Sequence, residues 1–564
     1  MPSLTKKIIK GRPYYYLREC RRVNGKPKIV WQEYIGSPQQ LAIRLTQPKP
    51  ETVLVRQFGA VVAAFDIARQ LNIVSIIDRY VPKRGSQGPS VGEYLLLACL
   101  NRCVAPRSKA QIGQWYDTTV MPRFLGINSS QLTSQRFWDN MARVDEDAIC
   151  SIEQEVSAQA VSHFGLDLRC LLFDATNFFT FVDSFNSRSK LPQRGHSKEG
   201  RDNLRILGLA LMVTSDGDVP LFHHTYACNQ HDSVTFASVA GELADRCRKL
   251  SNDVCDITLV FDKGNNSREN LTTVSFGPFH FVGSLVPNQH AALLQIERKK
   301  MRRLDKNQLP AVWAFRTQQE IFGVLRTVVV TFNRPLHQAQ VKTLKREISK
   351  RRRQLQHVQD SLQRHIDKIA GGHKPTLQGT ENRIQAILAA RHMKDLFKTK
   401  ISMGKDGVPR LQWKFDDKAW EELDRTLLGK TILFTDRDDW TDEQIVCAYR
   451  SQFHVEAAFR RMKDPRFLTF RPAYHWTDQK LRVHVLYCVL ALMVMSLLRR
   501  KLQQAGISMS IRRIAERLEE IHEVVNVYPT PKGSPLRIQA TLSQRDAEQE
   551  AMLAALQLAS YIAK

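Results

Sequence analysis

The spacing of apolar residues changes several times along the chain, and each change predicts a different kind of element. In residues 1–50 the apolar positions come in short runs, Tyr14-Tyr15-Tyr16-Leu17 and Ile29-Val30-Trp31, on either side of Asn24-Gly25. Short β-prone runs flanking Asn-Gly predict a hairpin, and so a small β unit. Gln47-Pro48-Lys49-Pro50 reads as a linker. Over 51–165 the apolar residues recur at helical spacing in 61–71, 91–103 and 109–116, and a capped helix is expected in 133–144. Two readings of this helical region are open. One is a helix-turn-helix reader that offers Lys109, Arg123, Arg136 and Arg143 to phosphates; the other is a plain helical bundle.

From about 168 the period becomes that of strands. Leu171-Leu172-Phe173 runs into Asp174, and 204–214 and 220–226 flank the turn Ser215-Asp216-Gly217-Asp218. A helix is expected over 233–250. Ile257-Thr258-Leu259-Val260-Phe261 then runs into Asp262, and 280–286 is a further apolar run. This order predicts an α/β fold with a mixed sheet. Residues 287–435 interrupt it: 322–332 is β-rich, 341–353 is strongly basic, a long helical stretch follows, and strands are expected at 411–415 and 431–434. After Thr441 the pattern is helical to near Glu523, and a Pro/Gly loop and a terminal helix are expected beyond it. No repeat of 20 to 50 residues is visible.

Composition narrows the partner. The 564 residues include 83 Lys and Arg against 56 Asp and Glu, a net charge of +27, while 43% are hydrophobic. A long, core-forming chain this basic points to a polyanion and to an enzyme or large assembly acting on nucleic acid. The opening MPSLTKKIIKGRPYYY shows no leader-like apolar run, and the ten cysteines show no zinc-ligand spacing. The apolar run 485–498, broken only by Ser496, is too short to span a bilayer and reads as a core helix. The expectation is an intracellular chain with reduced thiols and no membrane partner.

Two acids stand out because their contexts match. Asp174 and Asp262 each follow a buried apolar run ending in Phe. Carboxylates at the ends of neighbouring strands face one crevice, where they repel unless a cation lies between them. An oxygen-preferring divalent ion, Mg²⁺ or Mn²⁺, answers that need; a turn-capping role is the competing reading for either acid alone. A third acid is offered by one helix, which opens with the capping box Thr441-Asp442-Glu443-Gln444 and runs to Pro465. Tyr449, Glu456 and Lys463 recur at seven-residue intervals, so a continuous helix carries them on one stripe that drifts about 20° per step. Gln452 shares the stripe and Arg460 lies one turn past Glu456. An amphipathic surface helix with Glu456–Arg460 pairing accounts for the same spacing.

Taken together these motifs resemble the DDE transposases of bacterial insertion sequences, in the group with a Y-x2-R-x3-E-x6-K signature. Tyr449, Glu456 and Lys463 fall on its Y, E and K, while Gln452 stands where the signature has Arg. FDATNFF around Asp174, GHSKEGRDNLRILGLALMV at 195–213, LVFDKGNNS around Asp262 and LTFRPAYHWTDQKLRVHVLYCVLALMV at 468–494 add matching context. The likeness spans about 168 to 500. It implies an RNase H-like core with Asp174, Asp262 and Glu456 as catalytic and metal-ligating residues holding two divalent cations. It implies Tyr449, Gln452, Arg460 and Lys463 as DNA-binding residues, with His454, His196, Lys198 and Arg201 as further candidates. The implied activity is cleavage of double-stranded DNA at transposon ends and strand transfer into target DNA. A homodimer on paired ends and a bacterial cytoplasmic location go with it.

The expected organisation is a β unit (1–50), a helical DNA-binding domain (51–165), the first part of the catalytic core (166–286), an insertion domain (287–435), the completion of the core (436–500) and a helical C-terminal region (501–564). Two rivals remain open at this point. One is a metal-dependent nuclease of the same fold, and the other is a non-catalytic DNA-binding protein.

Overall fold

The computed structural model describes residues 2–563 except 24–25, 47–49, 84, 86–87, 184, 196, 202, 229–231, 251–255, 263–278, 370, 472 and 529–536. The expected Asn24-Gly25 turn, most of the Pro-rich linker, His196 and the residues just after Asp262 lie outside the described residues.

Strands β1 (Ser3–Ile9), β2 (Arg12–Val23) and β3 (Lys26–Gly36) form an antiparallel meander, and a helix follows over Pro38–Thr46. Strand β4 (Thr52–Gln57) does not join them. It pairs instead with a strand almost 470 residues away, as described below. The helices Gly59–Gln70, Ile73–Tyr80, Val91–Val104, Ser134–Met141 and Glu146–Phe164 come next. Each of the last three has a side-chain N-cap (Ser90, Thr133 and Asp145), which satisfies an otherwise orphaned backbone N–H.

The central sheet starts with β5 (Cys170–Phe179), β6 (Gln193–Arg194), β7 (Arg205–Thr214) and β8 (Pro220–Ala227). It continues with β9 (Thr258–Val260), β10 (His280–Ser284), β11 (Arg302–Arg303), β12 (Val312–Ile321) and β13 (Val324–Asn333). After the hairpin β14 (Phe397–Met403) and β15 (Pro409–Phe415), which forms its own two-stranded sheet, β16 (Lys430–Thr435) returns to it. The ten strands lie in the order β11-β12-β13-β16-β10-β9-β5-β7-β6, with β8 also on β7. β5, β9 and β10 are mutually parallel, while β7 and β8 run antiparallel on one side and β16 and β13 on the other. The α/β expectation with a mixed sheet therefore describes the chain.

The insertion is smaller than its sequence suggests. β11, β12, β13 and β16 extend the central sheet, so the strands within 302–333 and 430–435 belong to it. The excursion between β13 and β16 forms a lobe from the helices Arg334–Ile366, Leu377–Ile387 and Asp417–Thr426 and the β14–β15 hairpin. Ile348, Leu355, Val358, Leu362, Ile384, Phe397 and Leu411 give it a core of its own.

The C-terminal region is not purely helical. β17 (His522–Tyr528) and β18 (Arg537–Leu542) form a hairpin, and β17 also pairs with β4, Val524 opposite Val55. The 27-residue helix Asp478–Gln504 packs on the helices Gly59–Gln70, Val91–Val104 and Glu146–Phe164 and on β8. It is long and apolar enough to cross a membrane, yet 94% of its most apolar window is buried inside the protein. One hydrophobic core runs from Phe58 through the helices and sheet to Tyr561. The helical region 51–165 thus shares its core with the sheet. The side chains expected to face phosphates there are mostly engaged: Lys109 is buried, Arg123 pairs with Glu523 at 2.8 Å, and Arg143 donates to the carbonyl of Pro82. Nine described cysteines are free thiols.

Candidate functional site

The parallel pairing of β5 and β9 sets Cys170 beside Thr258, Leu171 beside Leu259 and Leu172 beside Val260. Two positions further, the same register brings Asp174 level with Asp262, and the two-residue period of strands puts both on one face. β10, with Val282 beside Val260, brings Ser284 to the same level. Three polar side chains thus lie in a row across three parallel strands. Asp174 does not end its strand, as its sequence context suggests; β5 continues to Phe179. Asp262 stands two residues past the end of its strand, which closes at Val260.

Asp262 Oδ1 accepts a hydrogen bond from Ser284 Oγ at 3.2 Å and lies 3.3 Å from the Tyr449 hydroxyl. The Tyr449 hydroxyl donates to Ser284 Oγ at 3.0 Å. Burial raises the Tyr449 phenol well above its ordinary range, and the negative charges of Asp262 and Glu456 add to the shift. This tyrosine stays protonated, and its single proton goes to Ser284, whose own hydroxyl donates to Asp262. Asp174 Oδ1 accepts from the backbone N–H of Ala175 at 2.8 Å.

The helix that carries the signature is broken. One helix spans Asp442–Arg450 and packs on β10 and β16; the next spans Phe453–Lys463 and packs on β5 and β7. Between them the backbone tightens: Gln452 N–H donates to Tyr449 O and His454 N–H to Ser451 O, three residues back. The Ser451 hydroxyl donates to Ala448 O at 2.6 Å. A tighter turn rotates each residue further about the axis, so Tyr449, Glu456 and Lys463 do not share the straight stripe a single helix would give. Tyr449 and Lys463 still overlook the same row. Tyr449 reaches Asp262, and Lys463 Nζ donates to Thr176 Oγ1 at 2.9 Å, two residues from Asp174 on the same face. Burial lowers the Lys463 pKa; the nearby Glu199 and Asp174 oppose that shift, and Lys198 and Arg471 reinforce it.

Glu456 lies between these two contacts in sequence and is exposed. Arg460 is exposed too. Gln452 Nε2 is buried with no hydrogen-bond partner among the described residues. His454 turns away from the row and pairs with the buried Asp218 of the β7–β8 turn, which also binds Arg461 at 2.7 Å and Arg499 at 2.9 Å. Lys198 Nζ donates to the Ala175 carbonyl at 2.9 Å, beside the acids, and the Arg201 guanidinium stands over the Phe179 ring at 5.8 Å.

Among the described residues no three His, Cys, Asp or Glu side chains are gathered as a ready-made ligand set. The donors themselves fit a hard cation: Asp174 and Asp262 present carboxylate oxygens level on one face, with serine and tyrosine hydroxyls beside them. Glu456 stands on the facing helix and is not gathered with them. Ser284, Thr176, Glu199, Arg471 and Asp218 escaped the sequence reading. Thr176 in FDATNFF, Glu199 in GHSKEGR and Arg471 in LTFRPAYHW lie within motifs quoted above, yet nothing local marks them as partners of the site.

No protein-family profile and no curated protein matches the chain. Among solved structures it is similar to piggyBac transposase in its synaptic complex with hairpin DNA, with a TM-score of 0.39 and 9% identity over 83% of this chain and 82% of that one.

Proposed function

We propose that this chain is a DDE-type DNA transposase that cuts double-stranded DNA at element ends and joins the freed 3′ ends to target DNA. The observation that carries the proposal is the level pair Asp174 and Asp262, overlooked by a helix pair that brings Tyr449 to one acid and Lys463 beside the other. The strand order β8-β7-β5-β9-β10, antiparallel up to β5 and parallel from it, supports the RNase H-like reading of the core.

In this reading Asp174 and Asp262 hold Mg²⁺ or Mn²⁺, and Glu456 joins them from the facing helix. The bound ions supply an activated water and neutralise charge on the leaving 3′ oxygen. The rest falls to the chain's own side chains. The Tyr449 hydroxyl and Ser284 fix the orientation of the Asp262 carboxylate. Lys463, half-buried beside Thr176, offers a compact positive charge to a phosphate. Gln452 and the exposed Arg460 are further DNA contacts, and two copies hold the paired ends.

The test uses linear DNA carrying the inverted repeats that flank the coding region. Asp174→Ala, Asp262→Ala and Glu456→Ala are each expected to lower Mg²⁺-dependent cleavage about 10³-fold or more while DNA binding persists. A wild type that cuts a marked end without joining it to target DNA is a nuclease. Variants that cut normally end the catalytic reading.

A further inference from the structure

Four large aromatic side chains stand in water just past the strand that carries Asp174. Phe181 is 44% exposed, Tyr474 56%, Trp476 66% and Phe185 95%. Exposed aromatic surface gathered in one place marks a contact site. Phe181 and Tyr474 come from distant parts of the chain, yet their rings stack with centroids 5.1 Å apart and planes 28° apart. The buried Phe179 supports Phe181 edge-on at 5.6 Å.

The platform is built rigidly. Phe181 N–H donates to Ala473 O at 3.0 Å, and Asn186 Nδ2 donates to Trp476 O at 3.0 Å. Asp478 accepts from Ser189 Oγ at 2.6 Å and from the backbone N–H of Leu191 at 2.9 Å. These bonds stitch the loop after β5 to the segment before the long core helix, so the rings are presented without being free to collapse inward. The rim is cationic: Arg471 stands over Phe179 at 4.6 Å, and Arg201 over the same ring at 5.8 Å. A flat aromatic face with positive charge at its edge fits a nucleobase whose backbone runs along the rim. The cationic edge favours an anionic partner, and the DNA of the proposed function is one that also brings flat faces to stack.

We infer that Phe181 and Tyr474, with the exposed Trp476 two residues further along the chain, form a stacking site for unpaired bases of a DNA strand near the acid row. Phe179 is five residues beyond Asp174 on one strand, roughly 17 Å at strand spacing, and the Arg471 that stands over it also donates to the Lys463 carbonyl, so the bases the platform takes lie a few nucleotides from the acids. A base in a closed duplex has no free face to offer, so the site selects strands that are frayed, distorted or single. This inference rests on the DNA-processing reading above, and its test is separable from that reading.

The experiment titrates the full chain, without metal ions, into a duplex with a three-base unpaired stretch containing 2-aminopurine, and into the fully paired duplex. The expected result is tighter binding of the unpaired probe with quenched 2-aminopurine fluorescence. Phe181→Ala and Tyr474→Ala are each expected to weaken that binding about tenfold and to leave the paired duplex unaffected. Tyr474→Trp, which keeps a stacking face, is expected to retain it. Equal affinity for both probes in the wild type, or variants that bind the unpaired probe normally, overturns the inference. So does loss of self-association in the variants with no change in DNA binding, since the patch is then a contact between copies. Loss of cleavage in Asp174→Ala with normal quenching leaves the platform standing. Normal cleavage in that variant removes the catalytic reading alone.

Discussion

The two longest helices of the molecule are opposites. Asp478–Gln504 is enclosed: Leu481, Val485, Leu490, Leu492 and Leu497 are all buried, and helices and sheet cover it on every side. Arg334–Ile366 is six residues longer, yet its buried positions are Ile348, Leu355, Val358 and Leu362, a single stripe facing the lobe's small core. Its other faces carry exposed Lys342, Lys345, Arg346, Lys350, Arg352 and Arg353. One helix is the axis around which the main body is organised. The other is half surface, and its basic face is open to solvent. Apolar residues on every face enclose a helix; a narrow stripe leaves it a lever with a charged back.

The comparison predicts where the molecule breaks. The largest stability effect is expected at Asp218, which is buried among His454, Arg461 and Arg499 and joins the β7–β8 turn to both the Glu456 helix and the long core helix. Asp218→Asn leaves Arg461 and Arg499 without their counter-charge and is expected to cost about 3–5 kcal/mol by urea unfolding. Burial alone raises its pKa, but His454, Arg499 and Arg461 outweigh that and bring it from 3.8 to about 2. The folded-state value is depressed, so the stabilisation is fully present above pH 3.8 and fades as pH falls towards 2. In the variant this part of the acid dependence is expected to vanish.

Paired truncations sharpen the contrast between the two cores. Leu490→Ala, in the long core helix, is expected to cost about 2–5 kcal/mol and to lower the main unfolding transition. Leu355→Ala deletes as much side chain but from the lobe's separate core. It is expected to open the lobe first, seen as hydrogen exchange gained in 334–428 while the central sheet stays protected. A uniform gain in exchange across both regions contradicts two independent cores.

A smaller effect is expected at Lys109, enclosed in the main body between Trp138 and Tyr487, where its ammonium donates to the Tyr487 hydroxyl at 2.8 Å. Burial lowers its pKa from 10.5 to about 7, with the neighbouring Arg102 adding to the shift. Between these values the unfolded chain holds a proton that the folded one has released, so stability rises with pH across that window. Lys109→Met is expected to flatten this rise, by up to about 1.4 kcal/mol per pH unit, measured as urea midpoints from pH 7 to 10. The smallest change belongs to the lobe's basic face. Lys345→Glu, Lys350→Glu and Arg353→Glu are each expected to alter stability by less than about 0.5 kcal/mol while flattening the salt dependence of DNA binding by about one unit of log–log slope per lost phosphate contact.

What could be read in advance depended on how local the signal was. The strand into Asp262 was legible because three apolar residues, the strand and the acid are consecutive. At Asp174 the Asp-Ala-Thr-Asn segment resembles a turn, yet the strand runs through it, because β7 pairs with β5 as far as Phe179 and supplies partners for its backbone there. The break at Ser451-Gln452 has no Gly or Pro to announce it; a serine hydroxyl bonding back into the previous turn tightens the helix there. Val524, Val525 and Val527 fall where a Pro/Gly loop is expected, since the strand they form is completed by β18 and by β4, the latter far away in sequence.

The sequence by itself determined the α/β class, the positions of the acids and of Tyr449, Glu456 and Lys463, the buried helix, the basic excess and the place of the excursion. These follow from local periodicity and composition, which act over a few residues. Tertiary structure alone decided that Asp174 and Asp262 stand level, that Tyr449 and Lys463 close over them from two helices, that β4 joins the C-terminal hairpin, and that Phe181 and Tyr474 share one platform. Each of these is a register or a packing contact between distant segments, fixed by which backbones pair and which faces are covered.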